Sequence, residues 1–542
     1  MPDDDSRHTA AHYTAEFLRA KALAERGVAS AQHSLGFMYV NGQGVPRNDE
    51  LAMAWYRMAA SSGLEQAQYN LGVMYQRGWG TAPGTNQDLV QAVYWYRQAA
   101  EQGYGPAQYN LGWLYAKGQG VAADVQQALH WFAQAAEQGD PGAQHNLGMM
   151  FEGGKGVPQD VAQAVAWYRR AAEQGYARSQ FNLALRFESG QGVERNVQQA
   201  IHWFRKAAEQ GYAPAQFNLG LRYDKGQDLP QDSAQAIDWY GRAATQGHAS
   251  AQFNLALIHD SGHGHNLDPD PVLALHWFRK AAEQGHAGAQ DNLGLRYENG
   301  LGVDQDHAQA AHWYRKAGEQ GFAGAQYHLG LLYGAGLGVP HDAAAAADWT
   351  RRAAEQGHLR AQFDLALRYE HGNGVAADVQ QAQYWYRKAA DQDYAPAQYM
   401  LGQLLDRDDS GTVDPRQAGD WYRKAAEQGH SLAQFALGLR YDSAHGVARD
   451  YEAAHFWYLC AARQGHARAQ FNLGVMYAAG QGVQPDPVEA YAWLQRAGDA
   501  GLVPAARYLQ RVAARMSPAL LAQASAFAAN GNGSGNGSAA HG

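Results

Sequence analysis

Five arginines recur at one place in an internally repetitive chain: Arg186, Arg222, Arg296, Arg368 and Arg440. A planar guanidinium favours carboxylate or phosphate partners, so such a ladder could hold an acidic ligand. Two residues beyond that place an acid recurs, at Glu152, Glu188, Asp224, Asp260, Glu298, Glu370, Asp406 and Asp442. Residues two apart do not face each other on a helix. These acids therefore either pair with a cation of the adjacent repeat, as common and weak surface ion pairs do, or meet a ligand. Four residues before the arginine place stands an amide. Asn70, Asn110, Asn146, Asn182, Asn218, Asn254 and Asn292 form an unbroken run, which gives way to His328, Asp364, Met400 and Ala436 and returns at Asn472. An amide both donates and accepts, which suits a bound peptide backbone; it serves a neighbouring helix equally well. Asn and Arg share a helix face at 182/186, 218/222 and 292/296.

Other candidate chemistries are weaker. His130, His202, His276 and His312 each precede a tryptophan, but neighbouring helices pack about 8–10 Å apart, too far for one metal ion to gather them. The single cysteine, Cys460, excludes an intrachain disulfide and a multi-cysteine zinc site and reads as an ordinary half-buried helix residue. No motif marks a nucleophile or a Ser-His-Asp grouping. Gly-x-Gly-Val segments such as Gly42 to Val45 and Gly190 to Val193 follow helices rather than strands, so they are turns and not phosphate loops. No catalytic residue, metal or cofactor is expected.

The elements behind these ladders follow from one periodicity. Tryptophan stands at 55, 95, 131, 167, 203, 239, 277, 313, 349, 385, 421, 457 and 493, at intervals of 36 residues except one of 40 and one of 38. A period of this size denotes one helical unit stacked many times. Helix A of each repeat opens as in Ala67 to Tyr75, with Ala67, Leu71 and Tyr75 on one apolar stripe and Asn70, Val73 and Arg77 opposite. Helix B starts at an Asp or Asn seven residues before each tryptophan, from Asn48 and Asp88 to Asp486, a favoured N-cap type at every position. This carboxylate ladder is structural. Glycine ends helix B eight residues after each tryptophan, with Asp393 the exception. Thr81 to Asn86 and Gly262 to Asp270 lengthen two turns.

The expected organisation is a disordered segment over 1–10, a capping helix over 11–27 and thirteen repeats over 28–502. Capping helices over 503–529 and a flexible Gly/Asn/Ser tail over 530–542 follow. A net charge of −9 lacks the basic footprint of a general nucleic-acid binder. An acidic N-terminus without an apolar stretch shows no secretory signal, and no window has the apolar length of a membrane span. A cytoplasmic monomer is expected, with export by a route that leaves no such signature still open.

The pattern Ala-Gln-x-Asn-Leu-Gly-x-x-Tyr, Gly-x-Gly-Val, Asp, Ala-x-x-Trp-Tyr-Arg-Lys-Ala-Ala-Glu-Gln-Gly, as over Ala215 to Gly247, resembles the Sel-one-like repeat family, a relative of the tetratricopeptide repeats. The resemblance implies a bacterial member and an all-α fold, a right-handed solenoid (superhelix) of antiparallel helix pairs. It implies a non-catalytic scaffold or adaptor whose concave face binds a protein or peptide, with Asn70 to Asn292 and Arg186, Arg222 and Arg296 as partner contacts. Some cysteine-rich relatives are described as β-lactamases or penicillin binders; their cysteine pairs are missing here. A cell-wall hydrolase, or a glycan-binding module stacking sugars on Tyr69, Tyr109 and Phe181, are the alternatives.

Overall fold

The computed structural model describes residues 14–80, 87–262, 268–407 and 413–530. The expectations for the first ten residues, for Thr81 to Asn86 and for the tail after Asn530 fall outside them, as does much of the lengthened turn after Gly262. The described residues form twenty-nine helices and no strand. They divide into two compact units, Met1–Asp270 and Pro271–Gly542, each a stack of helix pairs.

One pair shows why the sequence folds this way. Helix A of the fifth repeat, Ala177–Ser189, ends at Gly190 in the left-handed conformation (φ 72°). Helix B, Val197–Glu209, starts at Asn196, whose side chain accepts the backbone N–H of Gln199 at 3.0 Å. Each such cap stabilises its helix by about 1 kcal/mol. The chain then turns at Gly211, φ 87°, into the next helix A. Where the turn glycines are replaced, the conformation persists: Asp228, Asp393 and Ala444 adopt φ of 63°, 60° and 60°.

The period-defining tryptophan is not the deepest residue. Trp167 and Trp203 are half-buried on the outside of helix B, with Arg170 and Lys206 over their rings at 4.5 and 5.3 Å. The residue after the tryptophan goes inside: Tyr96, Tyr168, Phe204 and Tyr240 are fully buried, as are Tyr314, Tyr386 and Tyr458 in the second unit. On helix A the buried stripe is Ala67, Leu71 and Met74, whereas Tyr75, expected on it, is half-buried and accepts a hydrogen bond from Arg57 at 2.8 Å.

A buried glutamine, which the sequence reading passed over, joins one repeat to the next. Gln180 donates to the carbonyl of Ala172 at 3.1 Å and accepts from Gln210 at 2.7 Å; Gln216 does the same with Ala208 and Gln246. Buried amides are stabilising only when so satisfied. The second glycine of each Gly-x-Gly turn has a packing reason too: a Cβ on Gly192 would lie 2.5 Å from the carbonyl oxygen of Val161 in the preceding repeat.

At the N-terminal end, helix Ala15–Glu25 is capped by Thr14 and buries Phe17 and Ala24, with Phe17 edge-on to Tyr39 at 5.5 Å. At the other end, Val503–Ala513 and Pro518–Asn530 follow the last repeat, and Ser517 Oγ accepts from the N–H of Leu520. Among the described residues no helix is long and apolar enough to cross a membrane.

Candidate functional site

The asparagines are half-buried, and most turn their amides towards the preceding repeat. Asn110, Asn182 and Asn254 hydrogen-bond the buried hydroxyls of Tyr96, Tyr168 and Tyr240, and Asn70 bonds Tyr56 and the His33 ring at 2.9 Å. Asn146 reaches Tyr109 instead. At Asn218 and Asn292 the preceding aromatic is Phe204 or Phe278, which has no hydroxyl. There the amide donates to its own helix, to Pro214 O and Gly288 O at 2.9 Å. Of the two roles open to this amide, bonding within the stack is therefore in use, while part of each side chain stays accessible.

The tyrosine hydroxyls continue this network. Tyr168 donates to Glu152 at 2.5 Å, and Arg186 of the next repeat lies 3.2 Å from the same carboxylate. Burial first, and the Glu152 bond second, push the Tyr168 hydroxyl far above its ordinary range. Asn182, Tyr168, Glu152 and Arg186 thus form one cross-repeat cluster. Tyr314 and Tyr386 likewise donate to Glu298 and Glu370 at 2.6 and 2.7 Å.

The arginine ladder requires a correction. Arg222, Arg296 and Arg440 are buried, not displayed for a ligand. Arg222 pairs with Glu188 at 2.5 Å and Asp228 at 3.0 Å and lies 4.9 Å over Phe204; Arg296 donates to Pro271 O and Leu301 O and lies over Phe278. Arg186 keeps 17% of its side-chain surface. The signal was in the sequence: other repeats carry Met38, Met74, Leu114 or Met150 at this place, all buried. An arginine replacing a core methionine is drawn inward with it, and its charge is met by the acid of the preceding repeat. This withdraws Arg222 and Arg296 from any partner surface.

An accessible apolar ladder, of which only Val73 was singled out, occupies the position three residues after the asparagine. Phe37, Met149, Leu257, Leu331 and Leu439 are 47, 45, 38, 38 and 45% exposed. Trp113, Leu185, Leu221, Leu295 and Leu367 are half-exposed at the same position. The aromatics considered for sugar stacking are occupied: Tyr69 packs on Tyr96 and Tyr104 at 5.7 and 5.3 Å, and Phe181 on Phe204 and Tyr212 at 5.6 and 5.5 Å. Tyr109 lies 6.0 Å from Phe132.

His130, His202, His276 and His312 are exposed, each edge-on to its following tryptophan at 4.8–5.2 Å. Among the described residues no group of three His, Cys, Asp or Glu side chains is arranged to hold a metal. Cys460 is half-buried, and burial raises its thiol pKa, which disfavours the reactive thiolate. Other histidines do structural work. His248, His430 and His466 cap helix A, their Nδ1 accepting a backbone N–H at 3.2–3.3 Å, and burial lowers the pKa of each.

The Sel1 repeat pattern matches thirteen contiguous segments, from 29–64, 65–104 and 105–140 through to 467–502. The chain is similar to a crystal structure of a protective antigen of uropathogenic Escherichia coli that displays this fold. The two are 35% identical with a TM-score of 0.72, over 81% of this chain and 94% of that one. It is also similar to a Sel1 repeat protein of Oxalobacter formigenes, at 34% identity, 58% and 90% coverage and a TM-score of 0.46. No curated protein sequence matches it. Thirteen repeats, their caps and their conserved spacing place the chain in the Sel1-repeat family.

Proposed function

We propose that this protein is a non-catalytic scaffold that binds an extended segment or a helix of a partner protein along its helix A faces. The binding stretch is assigned to repeats 2 to 8, with Asn70 to Asn254 in the first unit and Asn292 in the second, each unit offering its own surface. Sel1-repeat solenoids are typical interaction scaffolds. The observation that carries the assignment is the accessible apolar ladder beside the half-buried amides, one residue of each per repeat, as in Leu185 with Asn182 and Leu221 with Asn218. Periodic apolar surface rimmed by polar groups is what a partner-binding face needs. Within this reading Arg186 retains a contact role at its exposed edge, and Arg222 and Arg296 act by holding the helices.

The test is a quantitative pull-down from native lysate with wild type, a triple variant (Asn146→Ala, Asn182→Ala, Asn218→Ala) and a second variant (Leu185→Glu, Leu221→Glu). Circular dichroism checks that both variants fold. Partners captured by wild type and lost by both folded variants support the groove. Retention of the same partners by both overturns it. A hydrolase is the competing reading; nitrocefin or peptidoglycan turnover by the purified protein would favour it.

A further inference from the structure

Repeat 10 departs from the arginine ladder in a coordinated way. Arg222 and Arg440 each have two partners in the preceding repeat, a carboxylate (Glu188, Asp406) and an aromatic ring (Phe204, Tyr422). The residues that stand to Arg368 as Glu188 and Phe204 stand to Arg222 are Gly334 and Thr350. Repeat 9 thus supplies neither the acid nor the ring.

The guanidinium nevertheless lies beside the place of the missing acid. A Cβ on Gly334 would be 3.2 Å from Arg368 Nη2. Nη1 is buried without a hydrogen-bond partner, while the side chain as a whole is half-exposed. Burial pulls its pKa below the ordinary arginine value. Thr350, fully buried, turns its hydroxyl back to Ala346 O at 2.8 Å and offers Arg368 nothing. The neighbouring carboxylate, Asp364, one turn earlier on the same helix, attracts Arg368 but accepts from the Tyr327 hydroxyl at 2.7 Å and forms no close ion pair with it. Burial raises its pKa. Arg360, exposed one turn before Asp364, adds a second cation. An unpaired, partly desolvated guanidinium strongly favours a carboxylate.

We propose that Arg368 is a carboxylate-recognition site, in which an acidic side chain of a partner polypeptide occupies the place left by the missing acid of repeat 9. Rotation of the half-exposed side chain brings Nη1 and Nη2 together onto the incoming carboxylate, and Arg360 attracts it. The site lies beyond the asparagine run and stands whether or not that run binds a partner.

The test measures fluorescence anisotropy of a fluorescein-labelled pentaglutamate peptide against the full chain at low ionic strength. The chain's own charge of −9 makes non-specific attraction of this probe unfavourable. Two variants accompany wild type. Arg368→Met installs the residue found at this place in Met38 and Met74, so it folds; Gly334→Glu restores the internal acid and closes the slot. Wild type is expected to bind, and both variants to bind at least about tenfold more weakly, the loss expected for one charge-assisted contact. Gly334→Glu is further expected to unfold at a higher temperature than wild type. Absence of wild-type binding, or unweakened binding by Gly334→Glu, overturns the proposal. Displacement of the probe by inorganic phosphate at lower concentration than by acetate assigns the slot to phosphate and overturns the carboxylate assignment.

Discussion

A glycine's role depends on what its missing Cβ would meet. Gly192 and Gly175 both have positive φ, but a Cβ on Gly192 would strike the Val161 backbone, whereas at Gly175 it would meet nothing within 4 Å. Gly175→Ala should therefore cost about 1 kcal/mol for the left-handed backbone alone. Gly192→Ala should cost about 2–4 kcal/mol, because the preceding helix must also move. Urea unfolding midpoints of the two variants would separate these costs. A second residue-scale case is His145, buried against Ser179 at 2.9 Å where most other repeats place Tyr or Phe against Ala. Burial lowers its pKa from 6.5 to about 4. The unfolded chain then binds the proton more readily, so this contribution is full above pH 6.5 and lost as pH falls towards 4. The double change His145→Phe with Ser179→Ala should recover up to about 3 kcal/mol of stability at pH 4 relative to pH 7, read as a smaller shift of the urea midpoint between those pH values.

At the scale of the helix, the ends and the glutamine joints matter more than propensity. Replacing Gln180 by Leu removes its bonds to the Ala172 carbonyl and the Gln210 amide, which keep only those with the Gly175 N–H and Lys206 O, an expected loss of about 1–2 kcal/mol. Asp160→Ala removes one cap, whose Oδ1 accepts from Gln163 N–H at 2.9 Å, and should cost about 1 kcal/mol. Thermal unfolding of both variants would rank them. Helix boundaries were legible because Asp, Asn and Gly stand at fixed distances from each tryptophan, and those residue types have one dominant local role. The glutamine joint was not legible. Gln180 and Gln210 look like ordinary polar helix residues until helix A packs on helix B of its own repeat and on Ala172 of the repeat before. The arginines were misjudged for a related reason: a charge was assumed to face water, although Met and Leu at the same place already marked it as core.

For the whole molecule, each repeat is bonded to its immediate neighbours, so stability is a sum of nearest-neighbour terms. Gln180→Leu should accelerate amide hydrogen exchange in repeats 4 to 6 and leave repeats 11 to 13 at wild-type rates. Uniform acceleration throughout would show all-or-none coupling instead. The stack was readable from periodicity alone, whereas the partner surface was not. Which side of helix A remains accessible is decided by how far Tyr, Asn, Glu and Arg of adjacent repeats satisfy one another, and that depends on their three-dimensional packing.

The glutamine joints bear on how such a gene can change length. Each joint links a glutamine to a carbonyl of the repeat before and to a second glutamine of its own repeat, with the same atoms in most repeats. Loss of residues 177–212 by recombination would leave Gln216 facing Ala172 and Arg222 facing Glu152 and Tyr168, the partners Gln180 and Arg186 have now. Copy number is therefore free to drift without orphaning a buried amide. The Arg368 slot is inherited differently. It is written half in repeat 9 and half in repeat 10, so loss of either repeat erases it, duplication of either alone leaves a single copy, and only a tandem copy of both transmits a second.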